Sequence, residues 1–263
     1  QKLNSMGRFL LILFLLPFTT ALAQTESGQP LCYIVGKSKT QVLNILRNTP
    51  KQACYEDFAR MHLPSFQGVP YGEGSYGLPA RHALVNITEM NCVTFVENFL
   101  AIAMTHEEFR HQKNQPEEEL LFKRYVHYLN KLRYYNGINR ISDDRIHYFT
   151  DCMRLLCNEG VMEDIGKRGG EPFTKRIHYI SSNRNKFRGI QDWNHLKSIE
   201  SAMSNAERYY YPLDSALNYL PHARTGDIVG MTSTVDGLDV SHVGVISVVD
   251  GELRITHASS VAN

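Results

Sequence analysis

The stretch that decides the fold is residues 91–104, NCVTFVENFLAIAM. Its apolar residues cover most of the circumference of a helix, which predicts a helix buried on nearly all sides. Asn91 suits the N-cap position, because its side chain can accept from the free N–H groups of the first turn. Cys92 is then the first helical residue, where the helix N-terminus favours thiolate over thiol. The two interpretations of Cys92 are a nucleophile with a lowered pKa and a small, inert buried residue.

The first residues have the pattern of a secretory signal peptide. Lys2 and Arg8 precede the apolar run 9–18, and residues 21–23 (ALA) resemble a cleavage site. The run is shorter than the roughly 18 apolar residues that a membrane-spanning helix needs, and no later stretch reaches that length. We therefore predict that residues 1–23 are removed and that the mature protein is exported, with no stable membrane span.

Composition limits the remaining possibilities. Residues 24–263 are enough for one large domain whose core needs no disulfide bonds. The formal net charge of +1 argues against a nucleic-acid binder. Because the chain has five cysteines, at least one thiol is unpaired or paired between chains, and we expect mostly free thiols.

The periodicity changes along the chain. Three segments have apolar residues at helical spacing: 40–60, 116–134 and 145–157. Residues 105–210 are predicted to be a helical and loop elaboration on a compact core. Three later segments are short, β-branched and separated by turns, as in antiparallel strands: 226–231, 240–249 and 253–258. Helices followed by a sheet predict an α+β domain.

Residues 248–253 (VVDGEL) are the strongest hairpin signal, because Asp-Gly supplies the positive φ angles of a two-residue turn. Counting back from this turn places Gly244 opposite His257, with His242 diagonal to His257 on the same face. Such diagonal neighbours are roughly 7–8 Å apart at the backbone. Gly244 leaves the space between the rings open, so we expect His257 to orient His242.

A thiol at a helix N-terminus and two neighbouring histidines have the roles of nucleophile, base and orienting group. In this hypothesis His242 takes the proton of Cys92, and the thiolate attacks an amide carbonyl. The Cys92 N–H is a candidate oxyanion donor, and water releases the acyl-enzyme. The alternative is that His242 and His257 are ordinary strand residues, since the chain has 11 histidines.

Four short motifs resemble those of the NlpC-type cell-wall cysteine hydrolases, which are papain-like: 68–71 (GVPY), 91–92 (NC), 241–244 (SHVG) and His257. Four others resemble the N-acetylmuramoyl-L-alanine amidase-like branch from gut bacteria: 92–97 (CVTFVE), 145–149 (RIHYF), 237–242 (GLDVSH) and 257–260 (HASS). The resemblance spans most of residues 24–263. It implies one papain-like amidase domain with catalytic Cys92, His242 and His257.

The resemblance also implies a bacterial protein of the periplasm or extracellular space that cleaves peptidoglycan fragments between muramic acid and L-alanine. Tyr71 is then expected to line the site and support the oxyanion, the alternative being a loop aromatic that packs on the core. Arg145 and Asp151 are candidates to meet a carboxylate or amine of the substrate, or are solvated charges beside a helix. Glu97, within a buried helix, is expected to pair with a cation.

Two features depart from the family pattern. Asn91 stands where the family has Asp, and the sequence stops at Asn263 where family members continue, so C-terminal strands are expected to be missing. No cofactor or metal ion is expected, and the only metal hypothesis (His147, Cys152 and Cys157) lacks a ligand spacing typical of metal sites. No nucleic-acid partner is expected either, because the formal net charge is only +1. Two alternative functions are a γ-D-glutamyl endopeptidase and a muropeptide-binding module without turnover.

Overall fold

A computed structural model describes residues 31–72, 82–114, 116–137, 142–212 and 223–260, so the predicted signal peptide lies outside the described residues. The helices in this part of the chain are α1 (Ser38–Asn48), α2 (Tyr55–His62), α3 (Cys92–Phe109), α4 (Glu118–Arg133), α5 (Phe149–Asn158), α6 (Tyr179–Ser182) and α7 (Trp193–Asn205). The strands are β1 (Leu31–Ile34), β2 (His82–Val85), β3 (Glu171–Pro172), β4 (Tyr209–Tyr210), β5 (Ile228–Thr232), β6 (Val240–Val249) and β7 (Glu252–Thr256).

Helix α3 is the centre of the hydrophobic core, as the sequence predicted. Phe99, Leu100 and Ile102 have no exposed surface, and α3 packs against α4 and against β6. Each large apolar side chain buried in this way contributes about 1.5–3 kcal/mol relative to an exposed one. The position of the first residue of α3 is therefore determined by the whole core.

The start of α3 has the predicted cap. The Asn91 side chain accepts a hydrogen bond from the Thr94 N–H at 2.9 Å, and the Thr94 hydroxyl accepts one from the Asn91 N–H at 2.9 Å. This reciprocal pair satisfies two backbone donors that the helix itself leaves open. It fixes Cys92 as the first helical residue.

Strands β5, β6 and β7 form an antiparallel sheet with β6 in the middle. Val249 lies opposite Glu252 and Val245 opposite Thr256, which confirms the predicted pairing of β6 and β7. Asp250 and Gly251 have φ angles of 54° and 78°, as the two-residue turn requires. The hairpin was therefore correctly positioned from six residues of sequence.

Two helical boundaries differ from the prediction. The segment 40–60 divides into α1 and α2 at Thr49, which is extended because it precedes Pro50. Helix α5 begins at Phe149 and not at Arg145, since Arg145 and Tyr134 form an isolated antiparallel bridge that keeps this segment extended. The parallel pairing of β1 with β2 was not predicted from the sequence.

Part of the region 105–210 has a small core of its own. Its buried residues are Tyr148, Ile177, Ile180, Ile190, Leu196 and Met203. The Tyr148 hydroxyl donates to the buried Glu200 at 2.7 Å and accepts from the Ile180 N–H at 3.0 Å. These bonds join Tyr148, the residue before α5, to both α6 and α7.

No helix among the described residues is both long and apolar enough to cross a membrane. All five cysteines lie in described ranges and all are free thiols, as expected.

Candidate active site

The Cys92 thiol lies at the junction of α3 and β6. Its sulfur is partly buried, and the backbone N–H groups of Val243, Val93 and Cys92 lie close enough to favour the thiolate. Burial raises the pKa of the Cys92 thiol above its ordinary value, although these donors act in the opposite direction. The expectation of a lowered thiol pKa is thus wrong for the protein without substrate, because desolvation exceeds the effect of the helix N-terminus. A base is needed to form the thiolate.

His242 and His257 contact each other directly. Nε2 of His242 and Nδ1 of His257 share a hydrogen bond of 2.8 Å, and the rings meet edge to face with centroids 4.7 Å apart. The two imidazoles therefore share one face of the sheet, as the pairing of β6 with β7 predicted. His242 is half-buried and His257 exposed, so the pair lies at the protein surface.

Gly244 makes this contact possible. A Cβ atom at position 244 would lie 2.6 Å from a methyl carbon of Ile255 and 3.3 Å from Cβ of His257. Any larger residue would push β7 and His257 away from β6. The importance of Gly244 was predicted from the sequence, but the space beside it is occupied by Ile255 and the Thr256 carbonyl and is not open.

The hydrogen bond between the rings limits their charge. One ring nitrogen must donate and the other must accept, so the two imidazoles are not both protonated while this bond exists. Burial and the neighbouring His257 lower the pKa of His242, which is therefore neutral near pH 7 and able to accept a proton.

The backbone brings the base strand to the sulfur. Val243 directly follows His242, and its N–H lies near the Cys92 sulfur, where it favours the thiolate. The sequence reasoning missed this contact, because no local signal shows which residue of β6 approaches α3. A thiol at the start of α3, a histidine on β6 and a histidine directly after β7 are thus brought to one region of the fold.

Tyr71 is held by backbone pairing to the segment that precedes Cys92. It forms a parallel bridge with Met90, in which the Met90 N–H donates to Pro70 at 3.0 Å and the Gly72 N–H donates to Met90 at 3.3 Å. Tyr71 is 39% exposed. The Tyr71 side chain therefore lies at the surface. Its pairing partner, Met90, is two residues before Cys92 in the chain.

Arg145 is part of a buried charge cluster. Its Nη2 donates to one oxygen of Glu97 at 2.7 Å, while Nε of Arg133 donates to the other oxygen at 2.6 Å. The prediction that Glu97 pairs with a cation is confirmed. Arg133 was missed, although a carboxylate in an otherwise apolar helix is a signal that distant cations must reach it.

Asp151 lies inside the protein and not in a cleft. Its side chain is 1% exposed, and it accepts hydrogen bonds from the Tyr135 hydroxyl at 2.5 Å and from Arg154 Nη2 at 2.6 Å. The structure therefore differs from the prediction that Asp151 contacts the substrate. Asp151 is on the inward face of α5 and pairs with Arg154, one turn further along the helix. Its carboxylate orients Tyr135 and Arg154.

Two cavities flank the first turns of α3. The larger, of about 460 Å³, has Phe95, Phe66 and His257 among its lining residues. The smaller, of about 230 Å³, is lined by the opposite face of α3 and by residues 145–149. Cys92 directly precedes Val93, which lines the smaller cavity.

One residue of the metal hypothesis is engaged elsewhere. Cys152 is buried and its thiol donates to the Leu132 carbonyl at 3.2 Å. Within the described ranges, no group of three His, Cys, Asp or Glu residues is placed to hold a metal ion.

A thiol at the N-terminus of a buried helix, together with a pair of histidines, is typical of hydrolases that use an activated nucleophile. The chain belongs to the AmiA-like family, described as N-acetylmuramoyl-L-alanine amidase-like, whose model matches residues 64–263. Membership identifies it as a hydrolase of the peptidoglycan amidase class. No curated protein sequence matches the chain significantly.

Solved structures agree with this family. One crystal structure of an N-acetylmuramoyl-L-alanine amidase from Bacteroides uniformis ATCC 8492 has a TM-score of 0.62 and 25% identity, over 86% of this chain and 86% of that chain. Another has a TM-score of 0.62 and 26% identity, over 77% and 85%. A Bacteroides fragilis protein provisionally named a xylanase has a TM-score of 0.65 and 26% identity, over 76% and 86%.

Proposed function

We propose that this protein is a cysteine amidase that hydrolyses the bond between N-acetylmuramic acid and L-alanine in peptidoglycan fragments. Cys92 is the nucleophile, His242 the general base and acid, and His257 the group that orients His242. The observation that carries the proposal is the 2.8 Å hydrogen bond between His242 and His257, on the strand whose next residue, Val243, has its N–H group near the Cys92 sulfur.

The first half of the reaction forms an acyl-enzyme. Neutral His242 takes the proton from the Cys92 thiol, and the thiolate attacks the carbonyl carbon of the lactyl amide. Backbone N–H groups at the start of α3 are the candidate donors to the oxygen that becomes negative. Protonated His242 then gives its proton to the L-alanine nitrogen, and the C–N bond breaks. The peptide leaves with a free amine, and the muramic acid remains as a thioester on Cys92.

The second half restores the enzyme. His242 removes a proton from a water molecule that attacks the thioester carbonyl. The C–S bond breaks, the thiolate regains a proton from His242, and the muramic acid leaves as a carboxylic acid. Throughout both halves His257 keeps the His242 ring in one orientation, as the third member does in other nucleophile and base systems.

The proposal includes a papain-like core of the NlpC type and export to the bacterial periplasm or extracellular space. The core is supported by a nucleophile helix packed on an antiparallel sheet. Export is supported by the signal-peptide pattern of residues 1–23. Tyr71 is proposed to support the oxyanion side of the site, since its backbone is paired with the residues before Cys92.

The name given to the Bacteroides fragilis neighbour does not suit this site. Most glycoside hydrolases use two carboxyl groups that flank the scissile bond. Among the described residues that line the two cavities, Glu97 is the single carboxylate, and two arginines occupy its oxygens. An amide is therefore the better substrate for the groups present.

Mass spectrometry of digested muropeptides tests the proposal. The amidase releases the intact peptide and the free sugar acid, and Cys92→Ser abolishes this without lowering the free energy of unfolding. Cys157→Ala removes another half-buried thiol and is the matched control, which keeps full activity. Cleavage within the peptide would establish an endopeptidase instead. Binding without any product would establish a muropeptide-binding module.

A further inference from the structure

The smaller cavity begins beside the nucleophile. It is lined by one face of α3 that starts at Val93 and by residues 145–149, and its volume is about 230 Å³. Since a water molecule takes roughly 30 Å³ in the liquid, this space suits a group the size of one amino-acid residue. The cavity is therefore a candidate substrate subsite near the start of α3.

The charges around this cavity do not balance. Glu97 carries one negative charge, and its two oxygens are taken by the guanidinium groups of Arg133 and Arg145 at 2.6 and 2.7 Å. The cluster therefore has an excess of one positive charge. By comparison, Asp151 and Arg154 form a balanced pair outside the cavity lining.

The excess charge reaches the cavity through one residue. The side chains of Glu97 and Arg133 are 7% and 6% exposed, whereas that of Arg145 is 26% exposed and lines the cavity. Arg145 and Glu97 are the charged residues among the described cavity lining, and His147, Tyr148 and Cys152 are the other titratable groups. Burying an unbalanced charge is costly, so an anion at this position would stabilise the cluster.

We propose that Arg145 is a specificity-determining residue that binds a carboxylate on the peptide side of the substrate. This inference rests on the proposed amidase function. In a muramoyl peptide, free carboxylates belong to the peptide and not to the neutral sugar. A guanidinium has a planar fork of donors that matches a carboxylate, and such charge-assisted bonds are the strong ones. The peptide would thus leave from the side of α3 that carries Val93 and Glu97.

Glu97 is then a positioning residue. Its bond to Nη2 fixes the plane of the Arg145 guanidinium, while the Tyr134 ring lies 5.8 Å from the same group. A preoriented guanidinium loses little freedom when the substrate binds. Arg133 balances Glu97, so the second arginine is available to the substrate.

The test compares two muramoyl peptides that differ only in whether their peptide carboxylates are free or amidated. The unmodified enzyme is expected to prefer the free acid by about 10- to 100-fold in kcat/KM, the range of a hydrogen bond to a charged group. In Arg145→Gln the ratio of kcat/KM for the free acid to kcat/KM for the amide falls towards one, and Arg145→Lys keeps part of the preference for the free acid. Arg154→Gln removes an equal charge outside the cavity and keeps the full preference. An unchanged preference in Arg145→Gln would overturn the inference.

A binding measurement separates this inference from the proposed function. Calorimetry with the Cys92→Ala protein measures the affinity for the same two muramoyl peptides without cleavage. Tighter binding of the free acid, lost on adding Arg145→Gln, supports the Arg145 site even if the unmodified enzyme releases no peptide. Equal affinity for the acid and the amide rejects the site even if the amidase reaction is observed.

Discussion

Two pairs of histidines in this protein have opposite surroundings. His62 and His106 are both less than 8% exposed, and their rings contact the ring of Phe58 at centroid distances of 4.8 and 5.7 Å. His242 and His257 touch each other at the surface beside a thiol. The buried pair belongs to the packing of α2 against α3, and the surface pair belongs to the site.

The difference shows that surroundings, and not residue type, decide what a histidine pair does. Nε2 of His62 bonds to the Thr49 hydroxyl at 2.7 Å, and Nε2 of His106 bonds to the Ala53 carbonyl at 3.0 Å. Burial lowers the pKa of His62 to about 4 and also lowers that of His106. The rings of the buried pair stay neutral and hold structure, whereas the rings of the surface pair are open to solvent and, in the proposed reaction, exchange protons.

The largest expected effect is on catalysis by the surface pair. Replacing His242→Ala removes the base, so kcat/KM for muramoyl-peptide hydrolysis should fall by about 10³-fold. The free energy of unfolding in urea should change by less than about 0.5 kcal/mol, because His242 is only half-buried. The opposite pattern is expected for His62→Ala, which should lower stability and keep catalysis in the folded fraction. If His62→Ala lost as much activity per folded molecule, the two pairs would not have separate roles.

The second effect concerns orientation. His257→Ala should lower kcat by about 10²-fold, since His242 keeps its proton chemistry but loses the partner at 2.8 Å. His257→Asn places an amide oxygen near the position of Nδ1 and should recover a large part of the loss. Steady-state kinetics across pH 5 to 8 measure both variants. Equal activity of the Ala and Asn variants would contradict the orienting role.

The third effect is on the pH dependence of stability. Since burial lowers the pKa of His62 from 6.5 to about 4, the unfolded chain binds a proton in this window that the folded protein does not. Stability is therefore lost as the pH falls from 6.5 towards 4. From pH 7 to pH 5 the loss from this group is up to about 2 kcal/mol, at 1.36 kcal/mol per pKa unit.

Urea unfolding at pH 7 and pH 5 measures this loss. His62→Gln should show a smaller loss between the two pH values than the unmodified protein, with part remaining from His106. The exposed His111→Gln is the matched control and should keep the full loss. Identical pH dependence in all three proteins would mean that His62 titrates normally.

The smallest effect separates the helix cap from the charge at the same position. Asn91→Ala removes the acceptor for the Thr94 N–H and should cost about 1 kcal/mol of stability. Asn91→Asp keeps an acceptor and should stay within about 0.5 kcal/mol of the original. Thermal unfolding of both variants measures the difference. A larger loss in the Asp variant than in the Ala variant would contradict the capping role.

Local signals located most of the candidate site. The cap at Asn91, the apolar run of α3 and the Asp-Gly turn each depend on a few adjacent residues, and their positions were predicted correctly. The roles of Arg145 and Asp151 were harder to predict, because charge periodicity does not show which cation reaches which carboxylate. Arg145 pairs with Glu97 across the core and Asp151 faces inward, and neither contact has a signature in neighbouring residues.

The sequence by itself determined that Cys92 starts a buried helix and that two histidines share one face of a hairpin, since helix capping and strand alternation are local properties. Only the tertiary structure decided that the sulfur meets β6 at Val243, that its pKa rises with burial, and that one excess positive charge borders the neighbouring cavity. Desolvation and the balance of charges depend on every element packed around a group, and distant parts of the chain provide those elements.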